Sequence, residues 1–347
     1  MARLDSVLGL IGDTPLVRID ALAPKPGVHL FAKLEGQNPG GSSKDRIALK
    51  MVELAERDGS LHPGDTILEP SSGNTGIGLA LVAKLRGYRL RVVMPDNVSP
   101  ERRQLLEIFG AEIVPSPGEE GSNGAIRLAE KLAADDPALR MLFQYGNPAN
   151  PLAHYETTGP EILRDCPEVD VFVAGLGTSG TLMGVGRYLK DRKPSVQIVA
   201  VEPPSGELVQ GLRSLDDGFV PPIFDPAVLD RKLIVRPRES IEWVRRLLEE
   251  CGVFAGISSG AAVAGAVKAA AQLDEGTVVT LLPDGGWKTS RPAPGPMTST
   301  SSPSAPPAST TGERGSRGST DPIDGARNDV AVVTLGPQPP SPSGRLA

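Results

Sequence analysis

Short runs of β-branched and other apolar residues alternate along most of the chain with segments whose apolar side chains recur at helical spacing. Runs of the first kind are typical of buried strands, and spacing of the second kind is typical of amphipathic helices. The pattern predicts strands at Thr66–Glu69, Leu90–Met94, Glu112–Pro115, Met141–Gln144, Asp170–Gly175, Gln197–Val201 and Val278–Leu282.

Two helical segments, 45–58 and 240–251, show the spacing most clearly. Their apolar positions are Ile47, Met51, Leu54 and Ala55 in the first segment and Ile241, Val244, Leu248 and Cys251 in the second. Strands that alternate with helices favour a largely parallel sheet covered by helices on both faces. Because the alternation runs twice, before and after about residue 150, we expect an α/β fold with two such sheets.

Composition divides the chain into two unequal parts. Of the 347 residues, those up to 288 have a globular composition, whereas 289–347 are rich in Pro, Ser and Thr and contain no aromatic residue. A segment of that composition cannot bury enough apolar surface to offset the entropy of ordering, so we expect a disordered C-terminal tail. Its one apolar run is Val330–Leu335.

Charge and cysteine content argue against several classes of protein. Lys and Arg number 36 against 42 Asp and Glu, a net charge of -6, which does not favour nucleic-acid binding. With 2 cysteines, Cys166 and Cys251, we expect no disulfide framework and a cytoplasmic location. No apolar run is long enough to span a bilayer and the 3 histidines show no ligand spacing, so we expect neither a membrane segment nor a metal.

Three turns rich in glycine and serine precede predicted helices. In Gly40–Arg46, Lys44 stands near a helix start, and a partly desolvated lysine there would tend toward the neutral amine that attacks carbonyls. A solvated surface lysine is the simpler interpretation. In Glu69–Gly76, hydroxyls and backbone amides could bind a carboxylate or simply cap the helix. In 256–262, the Ser258 hydroxyl could bond a heteroaromatic nitrogen or serve as a cap.

A fourth turn, Gly177–Thr181, follows a buried strand and opens a helix. Its backbone amides and hydroxyls suit a phosphate group. The segment also satisfies G-x-G-x-x-G through Gly175, Gly177 and Gly180, and the acidic Glu202 follows at a strand end. That combination is typical of dinucleotide-binding proteins, and the motif alone does not separate a pyrophosphate from a single phosphate.

The order and spacing of these turns resemble the cysteine synthase family, which are fold-type-II pyridoxal-phosphate enzymes. The matching segments are IGDTPLVR at 11–18, NPGGSSKDR at 38–46, EPSSGNTGIGLA at 69–80, QYGNPANP at 144–151, GLGTSGTLMG at 175–184 and GISSGAA at 256–262. The resemblance implies two doubly wound open-sheet domains like those of the tryptophan synthase β-subunit, and usually a homodimer. A large cofactor-binding domain would comprise 1–36 and 149–288, and a small, mobile substrate-binding domain would comprise 37–148.

The resemblance also assigns roles to matching residues. Lys44 would form the Schiff base with pyridoxal 5'-phosphate and act as the catalytic base, Asn74 would bond the 3′ oxygen of the cofactor, and Ser258 would meet its ring nitrogen. The cofactor phosphate would be bound by Gly177, Thr178, Ser179, Gly180 and Thr181. The substrate carboxylate would be bound by Ser71, Ser72, Gly73, Thr75 and Gln144.

The reaction implied by the resemblance is a β-replacement that forms L-cysteine, or a cysteine adduct of a sulfur-carrier protein, from an activated serine through an α-aminoacrylate. The segment 202–219 looks like the actinobacterial O-phosphoserine sulfhydrylase branch, in which an arginine matching Arg213 pairs with the substrate phosphate. That branch takes sulfur from the thiocarboxylate of a small sulfur-carrier protein, whereas other members use sulfide. The simpler interpretation of Arg213 is a surface ion pair with Asp216 or Asp217.

Other activities stay open from the sequence. An O-acetylserine sulfhydrylase or a cystathionine β-synthase-like enzyme would use another activated serine, and an NAD-dependent oxidoreductase would use the glycine motif. An inactive scaffold is also possible, because the chain departs from the family after Gly286-Trp287-Lys288. There the family continues with Tyr-Leu-Ser-Thr and an ordered terminus, whereas this chain turns to Pro-, Ser- and Thr-rich sequence at Thr289, as a replaced end or a natural tail.

Overall fold

The computed structural model describes residues 3–71, 73–98 and 100–288, together with Val332–Val333. The strands are β1 (Leu16–Arg18), β2 (Val28–Leu34), β3 (Thr66–Pro70), β4 (Arg89–Pro95), β5 (Glu112–Ser116), β6 (Leu139–Met141), β7 (Val171–Gly175), β8 (Gln197–Glu202), β9 (Arg231–Ile234), β10 (Gly276–Leu282) and β11 (Val332–Val333). The α-helices are α1 (Lys44–Asp58), α2 (Asn74–Arg86), α3 (Pro100–Ile108), α4 (Gly121–Asp135), α5 (Ala149–Ala153), α6 (Gly159–Asp165), α7 (Gly180–Arg192), α8 (Pro237–Cys251) and α9 (Ile257–Ala270).

The described strands form two sheets. The smaller has the order β5-β4-β3-β6, and all of its pairs are parallel. The larger has the order β1-β2-β10-β7-β8-β9-β11, in which the strands from β2 to β9 are parallel and the short strands at both edges are antiparallel. The expectation of an α/β fold with two sheets is therefore confirmed.

Helices cover both faces of each sheet, which explains why central strands such as β7 and β10 are nearly continuous apolar runs. In β10, Val278 packs in one core cluster with residues of α9, whereas the next residue, Val279, packs in another with residues of α7. In β4, Val92 packs with α1 and α2, whereas Val93 packs with α4. Because successive side chains of a strand point to opposite faces, a strand covered on both sides is apolar at most positions, and a polar residue in it needs a buried partner.

Most of the predicted elements are present, and the differences have physical reasons. The strand predicted at Met141–Gln144 ends at Met141, because Phe143 takes a left-handed conformation with φ 56° and turns the chain. The helix predicted at 240–251 is present, but its apolar face is only partly the predicted one. Cys251 packs against the core as predicted, whereas Ile241 and Leu248 are 42% and 44% exposed and Leu247 is buried instead. The sequence pattern also missed β1, β2 and β9, which are short or contain charged residues.

Some expectations lie outside what the structure describes. Of the predicted tail 289–347, only Val332–Val333 are described, and they pair with β9, Val332 opposite Leu233. The predicted domain boundaries stay a prediction. No helix among the described residues is long and apolar enough to cross a membrane.

Candidate active site

Lys44 is the first residue of α1, and its turn is attached to the segment that follows the central strand β10. The Ser43 N–H donates to the Pro283 carbonyl at 2.9 Å, and Ser42 forms an isolated β-bridge with Asp284. The Lys44 N–H donates to Ser42 Oγ at 3.3 Å. The start of α1 is thereby fixed at the carboxyl edge of the larger sheet, where ligands bind in open α/β sheets.

Burial changes the protonation of Lys44. Loss of hydration lowers the pKa of its amine below the ordinary value, and the nearby charges of Asp284 and Glu35 oppose that fall. A lower pKa increases the fraction of neutral amine, which is the form that attacks carbonyl carbon and accepts a proton.

Lys44 shares a cavity with the whole turn Gly177–Thr181. The other residues that line this cavity are Ala174, Gly175, Gly211, Leu212, Leu281 and Pro283. The structure therefore brings together the lysine and the glycine-rich turn that the sequence separates by more than a hundred positions.

Ser179 is strained and unsatisfied in a way that points to an anion. It is the N-cap of α7 with φ 70°, a left-handed conformation that serine rarely adopts. Its buried Oγ has no hydrogen-bond partner among the described residues. A phosphate in the cavity would satisfy this hydroxyl and the N–H groups at the start of the helix, so the residues present fit the phosphate of a cofactor.

The neighbours of this turn leave no room for larger residues. A Cβ added at Gly180 would overlap the Asn150 side-chain oxygen, and one at Gly177 would lie 2.7 Å from the Gly211 carbonyl oxygen. The Asn150 amide also donates to Thr178 Oγ1 at 3.0 Å. The glycines are therefore required by close packing, and the turn is held in one conformation.

His154 lies behind the turn Gly177–Thr181, and the sequence alone did not identify it as a residue of the site. It lies fully buried in a π-helical turn between α5 and α6, with Nδ1 2.9 Å from Thr158 Oγ1 and Nε2 3.2 Å from Thr181 Oγ1. Burial, together with the positive charges of Lys44 and Arg46, holds the pKa of His154 well below its usual value. The imidazole is therefore neutral at physiological pH.

Asp284 joins the other two segments expected to contact the cofactor. Its side chain accepts a hydrogen bond from Asn74 Nδ2 at 2.8 Å, and its carbonyl accepts one from the Gly256 N–H at 3.2 Å. Ser258, in the first turn of α9, is buried, and a Cβ on Gly211 would lie 3.5 Å from its Oγ. Sequence reasoning did not single out Asp284, because its role depends on contacts between distant segments.

A second polar group lies at the start of α2. Thr75 Oγ1 donates to Gln144 Oε1 at 2.6 Å, and Ser71 Oγ accepts from the N–H groups of Gly73 and Gly76 at 3.3 and 3.0 Å. These predicted carboxylate-binding residues are therefore adjacent. Ser72, predicted with them, lies outside the described residues.

Glu69 positions Gln144. Its carboxyl group accepts hydrogen bonds from the backbone N–H groups of Phe143 and Gln144 at 2.8 and 3.0 Å. Complete burial raises the pKa of Glu69 to about 8 despite these hydrogen bonds. The interaction explains why the chain turns away from the sheet just before Gln144.

Arg213 makes no ion pair with Asp216 or Asp217, so the simpler interpretation of this residue is wrong. Asp217 instead accepts hydrogen bonds from Ser205 Oγ and the Gly206 N–H. The guanidinium donates to Asn123 Oδ1 at 3.1 Å, and its central carbon lies 4.6 Å from the Phe219 ring centroid and 5.4 Å from that of Tyr145. Among the described residues, no carboxylate pairs with it.

The acidic residue of the dinucleotide motif is engaged elsewhere. The Glu202 carboxylate lies 2.7 Å from Lys232 Nζ and accepts the Leu215 N–H at 3.2 Å. It is fully buried, so it is not placed to receive a ribose hydroxyl. A single phosphate therefore explains the glycine motif better than a dinucleotide does.

A buried ion network lies behind the start of α1. The Arg46 guanidinium is 2.7 Å from Glu35 and 2.6 Å from Glu161, and Lys33 Nζ is 2.7 Å from Glu161. Thr14 Oγ1 donates to Glu35 at 2.7 Å. The network connects the N-terminal segment, β2 and α6 to the helix that carries Lys44.

A desolvated lysine, a phosphate-sized turn and a buried serine hydroxyl in one place suit a cofactor that is both an aldehyde and a phosphate ester. The family model described as "Pyridoxal-phosphate dependent enzyme" matches residues 7–284. The fold and the site thus define a pyridoxal-phosphate-dependent enzyme.

Similarity to individual proteins identifies the family within this class of enzymes. The chain is 45% identical over 293 residues to the cysteine synthase of Staphylococcus aureus, which covers 82% of this chain and 94% of that protein. It is 42% identical over 282 residues to cysteine synthase B of Pseudomonas aeruginosa, covering 81% and 94%. The crystal structure of O-ureido-L-serine synthase matches with a TM-score of 0.78 at 43% identity, covering 83% of this chain and 93% of that one. The chain belongs to the cysteine synthase family.

Proposed function

We propose that this protein forms L-cysteine by β-replacement on O-phosphoserine, as in the O-phosphoserine sulfhydrylase branch of the family. Arg213 carries the choice of substrate, because its guanidinium has neutral and aromatic neighbours but no carboxylate among the described residues. Its backbone N–H donates to the Leu176 carbonyl, next to the glycine-rich turn. A half-buried cation in this position suits a dianionic phosphate, whereas an O-acetyl group carries no charge and needs no cation.

Three residues would handle the cofactor and the proton. When bound, pyridoxal phosphate supplies an aldehyde that captures amines and a ring that delocalises an electron pair at Cα. Lys44 would hold the cofactor covalently and then, as a neutral amine, take the α-proton of the substrate at Nζ. Asn74 would bond the 3′ oxygen. Ser258 would bond the ring nitrogen without forcing it to stay protonated, which favours elimination at Cβ over transamination.

The substrate would be held at its two charged ends. The backbone N–H groups at the start of α2, with Thr75 and Gln144, would bind the carboxylate, and Arg213 would bind the phosphate. Loss of the α-proton to Lys44 would leave an electron pair that expels the phosphate from Cβ. A sulfur nucleophile would then add to Cβ, and the proton held at Lys44 Nζ would return to Cα. Closure over the site would exclude water while the carbon is reactive.

The sulfur donor and the assembly are part of the same proposal. Sulfide would give L-cysteine directly, whereas the thiocarboxylate of a small sulfur-carrier protein would give a cysteine adduct of that protein, because its sulfur stays bonded to the acyl carbon. The chain would act as a homodimer with a large and a small domain. Turnover with each donor and sedimentation of the purified protein would test these points.

The experiment that tests the substrate compares Arg213→Ala with the wild type on O-phosphoserine and on O-acetylserine, using sulfide. Removing one partner of a desolvated charge pair is expected to lower kcat/KM for O-phosphoserine by about 100-fold. The loss with O-acetylserine should be below about 5-fold, since no charge on that leaving group needs pairing. Arg236→Ala, an exposed arginine paired with Glu207, is the matched control. Equal losses on both substrates would favour the O-acetylserine activity instead.

A further inference from the structure

Arg213, which follows a strand of the larger sheet, contacts a residue of a helix that packs against the smaller sheet. Asn123 lies in α4, whose Ala125 and Ala129 pack against the smaller sheet, whereas Arg213 follows β8 of the larger one. Their hydrogen bond, from Arg213 Nη1 to Asn123 Oδ1 at 3.1 Å, therefore spans the two halves of the molecule.

The chemistry of this contact fixes the orientation of the Asn123 amide. A guanidinium can only donate, so the atom of Asn123 that faces it must be the carbonyl oxygen. The amide nitrogen then lies beside that oxygen with two N–H donors, and it has no hydrogen-bond partner among the described residues. Asn123 is half-buried, so these donors are accessible to an anion bound at Arg213.

The aromatic neighbours restrict where the guanidinium can move. Phe219 and Tyr145 meet edge to face, with centroids 5.5 Å apart, and Arg213 lies against both rings. Tyr145 directly follows Gln144, which we assign to the substrate carboxylate. The Arg213 side chain is therefore held against the residue that follows Gln144, and its backbone N–H is bonded to Leu176, the residue before the glycine-rich turn.

From this geometry we infer that Asn123 is a specificity-determining residue. It holds Arg213 in position through Oδ1 and donates from Nδ2 to the same substrate phosphate, so that the phosphate subsite is shared by α4 and the loop that carries Arg213. This inference rests on the proposed O-phosphoserine activity. Asn123 was not part of any sequence motif. If it binds the phosphate together with Arg213, recognition of the phosphate requires the contact between α4 and the loop that carries Arg213.

The test measures the ratio of kcat/KM for O-phosphoserine to kcat/KM for O-acetylserine. A lost hydrogen bond to a charged group corresponds to a factor of about 10 to 100, so Asn123→Ala should lower this ratio at least about 10-fold, mainly through KM. Asn123→Asp should lower it further, because the new carboxylate pairs with Arg213 and repels the phosphate. Asn97→Ala is the matched control, since Asn97 is an exposed asparagine that donates to the Gly118 carbonyl.

A binding measurement and a double variant separate a positioning role from a structural one. Inorganic phosphate should inhibit competitively with O-phosphoserine, and its inhibition constant should rise about 10-fold in Asn123→Ala. Adding Asn123→Ala to Arg213→Ala should lower the ratio by no more than about 2-fold beyond Arg213→Ala alone, since both residues serve one interaction.

The outcomes distinguish this inference from the function on which it rests. If Arg213→Ala is selective against O-phosphoserine but Asn123→Ala leaves the ratio and phosphate inhibition unchanged, the inference about Asn123 is overturned and the proposed function stands. The inference is equally overturned if the two single variants act independently. If Arg213→Ala affects both substrates alike, the proposed substrate itself is wrong.

Discussion

Replacing Arg46 with methionine should strongly destabilise the protein, although Arg46 is not exposed to substrate. The Arg46 and Glu35 side chains are 1% and 0% exposed, and the guanidinium also contacts Glu161. Methionine fills a similar volume but leaves two buried carboxylates without their main partner. Breaking a buried pair by removing one partner costs about 3 to 5 kcal/mol.

The pKa of Glu161 gives a second value for the free energy that this network contributes to folding. Burial acts to raise this pKa, but hydrogen bonds and charge from Arg46, followed by those of Lys33, lower it from 4.5 to about 2. That difference corresponds to about 3 kcal/mol of preference for the charged form in the folded state. The two values are of similar size, although the second includes the contribution of Lys33. With an unfolding entropy of about 2 cal/mol/K per residue, a loss of about 3 to 5 kcal/mol in a chain of this size lowers Tm by roughly 5 to 8 °C.

The interaction of Glu161 with Arg46 and Lys33 also sets how the stability of the protein changes with pH. Because folding lowers the pKa of Glu161, its contribution is fully present above the unfolded value of 4.5 and is lost as the pH falls toward about 2. Between pH 6 and pH 3 the wild type should lose about 2 kcal/mol from this group. Arg46→Met should show a shallower acid dependence, since the main stabiliser of the charged carboxylate is gone.

Urea unfolding followed by far-UV circular dichroism, at several pH values, measures both quantities. Arg238→Met is the matched control, because Arg238 and its partner Glu242 are 92% and 56% exposed, and an exposed pair contributes below about 1 kcal/mol. A loss below about 1 kcal/mol for Arg46→Met, or an acid dependence equal to that of the wild type, would refute the reasoning about the network.

Three further predictions concern the cofactor and the terminus. Lys44→Ala should remove the visible absorption of covalently held cofactor and abolish turnover, and a variant that kept both would contradict the assigned role. Ser179→Ala should leave the Tm of the apoprotein unchanged or slightly higher, because the hydroxyl is unsatisfied there, but weaken cofactor binding about 10-fold or more, as measured by titration. Truncation after Lys288 should leave cofactor binding intact, and recovery of apoprotein alone from that variant would show that the terminus is structural.

The predictable part of the fold follows from burial on both faces of the sheets. Strands such as β7 and β10 are continuous apolar runs, so their sequence marks them without tertiary information. By contrast, β2 contains Lys33, which is fully buried only because Glu161 and the Thr14 carbonyl receive its amine. The polar residue weakens the strand pattern, and its compensation lies far away in the chain.

The residues of the candidate site also fall into two groups, those that a local motif identifies and those that only distant contacts identify. Lys44 and the turn Gly177–Thr181 carry local chemistry that a short motif can display. Asp284, His154 and Glu69 act through contacts with segments tens to hundreds of residues away, and nothing in their immediate sequence indicates those contacts. The proposed substrate rests on Arg213, for which the resemblance suggested an anion partner, and among the described residues Arg213 does not pair with Asp216 or Asp217.

The position of β10 has a consequence for how the protein is made. This strand lies between β2 and β7 in the larger sheet, yet it is synthesised after both, ending at Leu282. At about 5 to 20 residues per second, the ribosome delivers it roughly 5 to 20 seconds after β7. During that interval all strands of the smaller sheet are already available to pair. In the larger sheet, the edges of β2 and β7 that pair with β10 stay unpaired until β10 is synthesised. The nascent chain should therefore depend on chaperones most strongly in this window, and a stalled ribosome before Gly276 should yield aggregation-prone product.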